Sequence, residues 1–278
     1  MAPSPAPDGA RRERPDRETG MRRGLDVLLA LGLPEAVERG GLGVMAICEI
    51  TGREKSQVSR SLATLAEYGM VDRDPGTLAY RLGWRFFAMA QLAGDRRLLD
   101  DAPAVLDTLV ADLGESAFLS VRQGDHAVTL VARRPGTGLQ ASAWVGQTFP
   151  LPHSSVGRVL LADADEDEVR AMFTQADLAG GRGPHAVRGP DDLAARVLAA
   201  RREGSCTVDG EFEEGLLSIA APVRDTAGRT VAAVNVSGPR FRMVERLDEV
   251  VDRVRAAGRA LSSWAPEHAD GLASTAGA

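Results

Sequence analysis

Gln57, Arg60 and Thr64 recur at spacings of three and four residues in the segment KSQVSRSLATLAEY. Turned at about 100° per residue, they fall within an arc of roughly 60°, opposite the apolar side made by Val58, Leu62 and Leu65. Gln can pair at two points with adenine, and Arg with guanine, in a DNA major groove. Ser56 and Ser59 stand beside them. Ser56, at the start of the segment, could cap a helix and offer its backbone N–H groups to a phosphate. Arg53 and Lys55 flank the entry as phosphate contacts, and Arg73 and Arg81 follow in a strand pair beyond it. Any amphipathic helix shows a polar face, so this pattern reads either as a base-reading surface or as an ordinary solvated one.

A second set of polar residues lies in the back half of the chain. Ser154 and Ser155 open an apolar stretch, Val156–Ala162, where a helix start with hydroxyls could hold an anion or simply cap itself. In TVAAVNVSG, alternation puts Val231, Ala233, Asn235 and Ser237 on one face and Ala232, Val234 and Val236 on the other. Ser218 interrupts the neighbouring apolar strand, and Asp209 precedes it by a short loop. These groups read either as a small-molecule site or as partners for strand edges and a buried water. Leu139, Trp144 and Phe149 are candidate apolar walls, and His153 reads as a surface or packing residue. The acidic run Asp163 and Asp165–Glu168 complements a helix N-terminus, and Glu211, Glu213 and Glu214 read as a solvated loop.

The elements that position these residues follow from periodicity and breakers. Residues 1–20 hold four prolines and no large apolar residue beyond Met1, so they read as a disordered tail and not as a secretory signal. Residues 21–84 read as three helices and a hairpin turning at Pro75-Gly76: a winged helix-turn-helix. A linker helix is expected over 85–100, followed by a helix from Ala102 to Leu113. Residues 101–265 then mix strands (SAFLSVR, HAVTLVARR, LQASAWVG, LLSIAAPVRD, TVAAVNVSG) with helices near 155–163, 165–173, 190–203 and 242–263. Residues 266–278 read as a second disordered tail. The fold class is α+β, with a mixed α/β domain behind the winged helix.

Composition narrows the function. The formal charge of −6 excludes a basic coat over the whole chain. Residues 1–100 are nearly balanced, with 15 basic and 14 acidic side chains, while the rest is acidic. Segment 53–64 carries Arg53, Lys55 and Arg60 against Glu54, so tight phosphate binding would need a dimer to multiply contacts. No run approaches the roughly 18 apolar residues of a membrane span. Cys48 and Cys206 cannot supply a disulfide framework or a thiolate metal site. A soluble protein of the reducing cytoplasm, without cofactor or metal, is the expectation.

Catalysis finds little support. Ser154, His153 and Asp209 could be drawn as a triad, but adjacent Ser and His do not readily face each other, and no G-x-S-x-G elbow occurs. His126, His153, His185 and His268 lack metal-ligand spacing, and there is neither a P-loop nor G-x-G-x-x-G. Two non-catalytic readings remain: a DNA-binding protein whose second domain also holds a small molecule, and a DNA-binding scaffold whose second domain serves only oligomerisation.

RRGLDVLLAL and VMAICEITGREKSQVSRSLATLAEYGMVDRDPGTLAYRLG resemble the N-terminal winged helix of the IclR family of bacterial transcription regulators. FPLPHSSVGRVLLA and GEFEEGLLSIAAPVRDTAGRTVAAVNVSGPRFRM resemble its C-terminal effector domain, in the family's order and spacing. The resemblance implies a GAF-like effector domain, homodimers that often pair into homotetramers, double-stranded operator DNA as partner, and a small metabolite, organic acids among the candidates, that shifts operator binding. It implies repression as the commoner sign. Matched position by position, the family's ligand-binding places fall on Ser154, Ser155, Val156, Asp209, Ser218, Asn235 and Ser237. The chain departs from the pattern at Val208, where the family often has Asp, at Ser218, where it often has Cys, and at Pro152-His153, where it usually has His-Ala.

Overall fold

The structure, a computed structural model, describes residues 19–90, 96–136, 145–179, 183, 185–211 and 213–262. Two compact units divide the chain between residues 94 and 95. The segments read as disordered tails lie outside the described residues, except that Thr19 and Gly20 already belong to the first helix. There the Thr19 hydroxyl accepts from the Arg22 N–H at 3.3 Å and caps α1 (Gly20–Leu31).

The first unit continues with α2 (Pro34–Glu38), α3 (Val44–Thr51) and α4 (Lys55–Glu67). The three helices expected over this unit leave out α2, whose first residue is Pro34; proline ends one helix but is equally suited to the first position of the next. Gly52 takes φ 65° between α3 and α4, a left-handed turn that favours glycine. Val27 and Leu31 of α1, Ile47 of α3, and Val58 and Leu62 of α4 meet in one core with Val71. The wing is β1 (Val71–Arg73) against β2 (Tyr80–Leu82), with Asp72 opposite Arg81 and Arg73 opposite Tyr80. Leu42 bridges to the other edge of β2 through paired backbone bonds of 2.8 Å with Tyr80. At the tip, the Asp74 carboxylate accepts from the Gly76 and Thr77 N–H groups, and these bonds, with that of the Thr77 hydroxyl, hold its pKa below the usual carboxylate range.

In place of one linker helix over 85–100, there are two helices, α5 (Trp84–Ala90) and α6 (Arg96–Leu113). α6 continues through Pro103, and Leu98, Ala102, Leu106, Leu109 and Leu113 form one buried stripe on both sides of it.

The second unit is built on a six-stranded antiparallel sheet in the order β5-β4-β3-β8-β7-β6. These are β3 (Ser116–Gln123), β4 (His126–Arg133), β5 (Thr148–Pro150), β6 (Cys206–Asp209), β7 (Leu216–Arg224) and β8 (Thr230–Pro239). The expected strand LQASAWVG lies outside the described residues apart from Val145 and Gly146, which are in a turn. β6 was not expected; the four residues Cys206–Asp209 are too short to establish a period. Ala232, Val234 and Val236 of β8 face α6 and α11 (Leu247–Ser262), which follows α10 (Arg240–Met243) and a 3₁₀ turn. The opposite sheet face carries Ala220 and Ala233 and is covered by α7 (Ser155–Leu160), α8 (Glu166–Met172) and α9 (Pro190–Glu203). Helices thus cover both faces of the sheet.

Candidate functional site

α4 presents Lys55, Ser56, Ser59, Arg60 and Thr64 to solvent, while Val58 and Leu62 are fully buried. Gln57 is half-buried. Gln57, Arg60 and Thr64 edge a groove shared with Met21, Leu25 and Leu28 of α1. The Arg60 Nε–H donates to the Ser56 carbonyl at 3.2 Å, so its guanidinium lies along the helix. Ser56 is not the cap. The N-cap is Glu54, with no side-chain cap bond, and Ser56 is the second helical residue. The leading N–H groups of this 13-residue helix therefore have no side-chain cap of their own.

Arg53, expected from the sequence to flank the entry to α4, is held by α1. Its Nε–H donates to Asp26 at 2.9 Å and a second guanidinium nitrogen closes the ion pair; its side chain is only 11% exposed. The pair ties α1 to the turn before α4 and so fixes the angle of the candidate reading helix. In the wing, Arg73 lies over the Tyr80 ring at 5.3 Å, and Arg81 is exposed opposite Asp72.

The second unit holds a cavity of about 80 Å³ between the sheet and the start of α7. At roughly 10–15 Å³ per water position it has room for about six waters, the size of a single ring or a short chain. Its floor is the α7-facing side of the sheet: Phe118, Ser120, Thr129, Ser218, Asn235 and Ser237. Strand pairing sets Val208 beside Ser218 and Ser218 beside Ser237, which brings these three together across β6, β7 and β8. His153, Ser154, Ser155 and Val156 close it from the α7 side, with Phe149, Leu216 and Glu213 around them.

Ser218 is the hub of a hydroxyl network. It shares a bond of 2.8 Å with Ser155, accepts from Ser237 at 2.7 Å, and stands 3.4 Å from the Asn235 amide nitrogen, which also donates to Ser237 at 3.0 Å. Six of the seven ligand positions implied by the sequence therefore meet around one cavity. Ser154 also has a capping role: it donates to the Pro150 carbonyl at 3.0 Å and accepts from the Gly157 N–H at 3.0 Å. Asp209 is the exception. It ends β6, just before the short loop that leads to β7, and its carboxylate accepts from the Arg240 Nε–H at 2.9 Å. Alternation puts Val208, not Asp209, on the cavity side. Leu139 and Trp144 lie outside the described residues, whereas Phe149 is a wall.

Sequence reasoning missed the groups behind the wall. Arg158 of α7 is 2% exposed; it donates to the Pro152 carbonyl at 3.1 Å and forms a two-point ion pair with Glu211, one bond at 3.0 Å. Arg196 of α9 adds a bond of 3.0 Å to Glu211 and pairs with Asp192. Glu211 is thus a buried anchor and not part of a solvated loop. Asp163 accepts from the Thr230 hydroxyl at 2.9 Å and from Arg224 at 3.1 Å, while Asp165 and Glu168 of that acidic run make the reciprocal capping box of α8, each side chain accepting from the other's N–H at 2.8 Å. Burial pushes the Cys206 thiol up to about 11, which leaves it unreactive.

His153 is 2% exposed, and neither ring nitrogen has a hydrogen-bond partner. Leaving a buried polar atom unpaired costs about 1–3 kcal/mol. Burial, and then the nearby Arg158 cation, hold its pKa below the usual histidine value, against a smaller opposing pull from Glu211. The ring is neutral at neutral pH. The sequence signal for it was the Pro152-His153 departure.

Among the described residues no group of three or more His, Cys, Asp or Glu side chains could hold a metal, and no helix is long and apolar enough to cross a membrane.

Comparison with known proteins decides the family. The chain matches the IclR helix-turn-helix domain over residues 21–75 and the bacterial transcriptional regulator IclR C-terminal domain over 91–263. It belongs to the IclR family. This makes it a transcriptional regulator with a helix-turn-helix DNA-binding domain, in a family whose curated members are named as regulators and not as enzymes. It is 31% identical over 230 residues to the Pca regulon regulatory protein of Pseudomonas putida, covering 80% of this chain and 75% of that one. It is 31% identical over 233 residues to the DNA-binding transcriptional repressor YiaJ of Escherichia coli, covering 81% and 80%. The fold is shared with an IclR homologue from Microbacterium hydrocarbonoxydans solved as a complex with 4-hydroxybenzoate, with a TM-score of 0.71 at 22% identity over 88% of this chain and 98% of that one.

Proposed function

We propose that this IclR-family regulator is an effector-responsive repressor that binds double-stranded operator DNA as a homodimer or homotetramer in the cytoplasm. α4 enters the major groove, with Gln57, Arg60 and Thr64 toward base edges and Ser56, Ser59 and Lys55 toward the backbone. Arg73 and Arg81 follow the neighbouring phosphates from the wing. A nearly neutral first unit needs two or more copies to gather enough phosphate contacts, which favours an oligomer on a symmetric site. A small molecule in the cavity of the second unit shifts the equilibrium between binding and non-binding arrangements, and can do so only by binding them with different affinity.

The observation that carries the effector reading is the cavity itself. It is walled, of ligand size, apolar on one side, and bordered by a convergent hydroxyl and amide network. The repressor named YiaJ and the relative solved with 4-hydroxybenzoate support the sign and the small-molecule response. The test is selection of an operator from random duplex DNA with the full chain, then mobility shifts with and without small molecules. Retention unaffected by every compound that binds the protein would leave a ligand-independent scaffold instead.

A further inference from the structure

His153 enters the cavity wall on a segment held from both sides. The Pro152 carbonyl before it accepts from the Arg158 Nε–H at 3.1 Å. The Ser154 hydroxyl after it donates to the Pro150 carbonyl and accepts from the Gly157 N–H, both at 3.0 Å. These bonds fix the backbone from which the ring projects. The ring itself is sealed from solvent, and both of its nitrogens are buried without a hydrogen-bond partner. A buried polar group left unpaired in a folded protein calls for a partner that fits the space beside it.

The serines and the amide of the wall are in a different position. Ser155, Ser218, Asn235 and Ser237 bond one another, so a ligand reaches them by exchanging one bond for another. His153 has no such bond to give up, and a bond formed there is a clear gain. A neutral imidazole presents one N–H donor and one acceptor lone pair. A ligand oxygen, whether of a hydroxyl or a carboxylate, can accept from that N–H. Charge then separates the two cases. Burial and then Arg158 of α7 keep the ring neutral before binding, against a smaller pull from Glu211, which Arg196 of α9 also engages. Glu213 borders the cavity as well. A carboxylate set against the ring adds an opposite charge, and an opposite charge within about 4–6 Å favours the protonated imidazole. A hydroxyl adds none.

We propose that His153 is a ligand-binding residue of this cavity: it donates a hydrogen bond to an oxygen of a ring-sized molecule, and where that oxygen belongs to a carboxylate the ring takes up a proton from solvent on binding; this rests on the small-molecule reading above. Phe118, Phe149 and Val156 supply the apolar side against which the body of the molecule rests. Hydroxyl and carboxylate ligands share the bond and differ in the proton. In the carboxylate case the proton goes to a ring nitrogen, and the imidazolium and the carboxylate leave the wall with no added net charge.

The experiment uses the full chain and three kinds of probe: phenol and catechol, benzoate and cyclohexanecarboxylate, and toluene as the ring without oxygen. Binding is read by calorimetry, and contact by the ring-nitrogen NMR resonances of His153, assigned by comparison with a His153→Phe variant. At least one oxygen-bearing probe is expected to bind about tenfold or more tighter than toluene and to move those resonances. His153→Phe should cut that advantage over toluene by about tenfold, a ratio that a mere change of cavity shape would not move. His153→Asn, which keeps a donor and an acceptor, should stay within roughly threefold to fivefold of the wild type. Titrations near neutral pH in buffers of low and high ionisation enthalpy count the protons. The carboxylates should take up a proton in the wild type and none in His153→Phe, and the phenols none in either. No binding by any oxygen-bearing probe, or an advantage over toluene unchanged in His153→Phe, would overturn the contact. Carboxylate binding without proton uptake, or with equal uptake in His153→Phe, would overturn the proton step. Operator retention is measured alongside. A probe that binds through His153 yet leaves retention unchanged upholds this site and counts against the effector-response reading. A probe that releases the operator equally well from His153→Phe counts against this site and leaves that reading standing.

Discussion

Arg158 and Glu211 meet in a two-point ion pair directly behind the cavity wall, both all but sealed from solvent. Through it α7, which carries the serines and His153 at its start, is joined to the segment that leads to Glu213 and Leu216 on the other side of the cavity. Arg196 approaches the same carboxylate from α9, so among the described residues Glu211 has two cationic partners while Arg158 has one anionic partner.

That asymmetry predicts unequal losses. Glu211→Gln strands the buried Arg158 charge and should cost about 3–5 kcal/mol, whereas Arg158→Met leaves Glu211 with Arg196 and should cost less. Urea unfolding of both variants measures the difference; equal losses would show that Arg196 does not share the carboxylate.

Gly157→Ala should be severe for a side chain of one carbon. An added Cβ would lie 2.1 Å from the Leu151 carbonyl oxygen and 2.3 Å from its Cα, so backbone must move. A loss of about 3 kcal/mol or more is expected, at the upper end of overpacking. Thermal melting reports it, and a melting point within about 2 °C of wild type would mean that α7 slides freely over Leu151.

In the first unit, Arg60→Ala and Arg53→Ala should separate reading from support. Arg60→Ala should lose about 1–3 kcal/mol of specific operator affinity and leave the melt unchanged. Arg53→Ala breaks the strut to Asp26 and should lower the melting temperature. Mobility shifts on selected and scrambled duplexes, beside melts, distinguish the two; an Arg60→Ala protein with full specificity would remove α4 as the reader.

His153 predicts a pH effect whose sign follows from its depressed pKa. The unfolded chain takes up a proton near the ordinary value of about 6.5, and the folded chain only below that. Stability from the neutral ring is therefore complete above about pH 6.5 and declines as pH falls through the window down to the folded pKa. Melting curves at stepped pH should show His153→Phe losing this part of the slope. Identical slopes in both proteins would place the titration elsewhere.

Ser218→Leu should fill the cavity from the hub of its hydroxyl network. Operator affinity should persist and small-molecule binding should vanish, as read by calorimetry and mobility shift; a normal response would put the ligand in another place.

Much of this architecture was legible in the residues. Val58, Leu62 and Leu65 fixed the inner face of α4 because a helix repeats at 3.6 residues, and Asn235 and Ser237 fell on one side of β8 because a strand repeats at two. Such local periods also separate Ala232, Val234 and Val236 onto the far face. What they cannot register is which distant polar groups face each other. Arg53 looked like a phosphate contact until Asp26, 27 residues earlier, was seen to hold it. Asp209 looked like a ligand until the unexpected strand β6 turned Val208 inward and gave the carboxylate to Arg240. Glu211 looked solvated until Arg158 and Arg196 closed on it, and His153 looked incidental until the wall around it left both nitrogens unpartnered. Periodicity is encoded within a few neighbouring residues, so the sequence alone determined the longer elements and their faces, while α2 and β6, too short to show a period, were missed. Charge pairing and burial depend on residues brought together from far along the chain, so only the tertiary structure decided which polar groups were already satisfied and which remained open to a ligand.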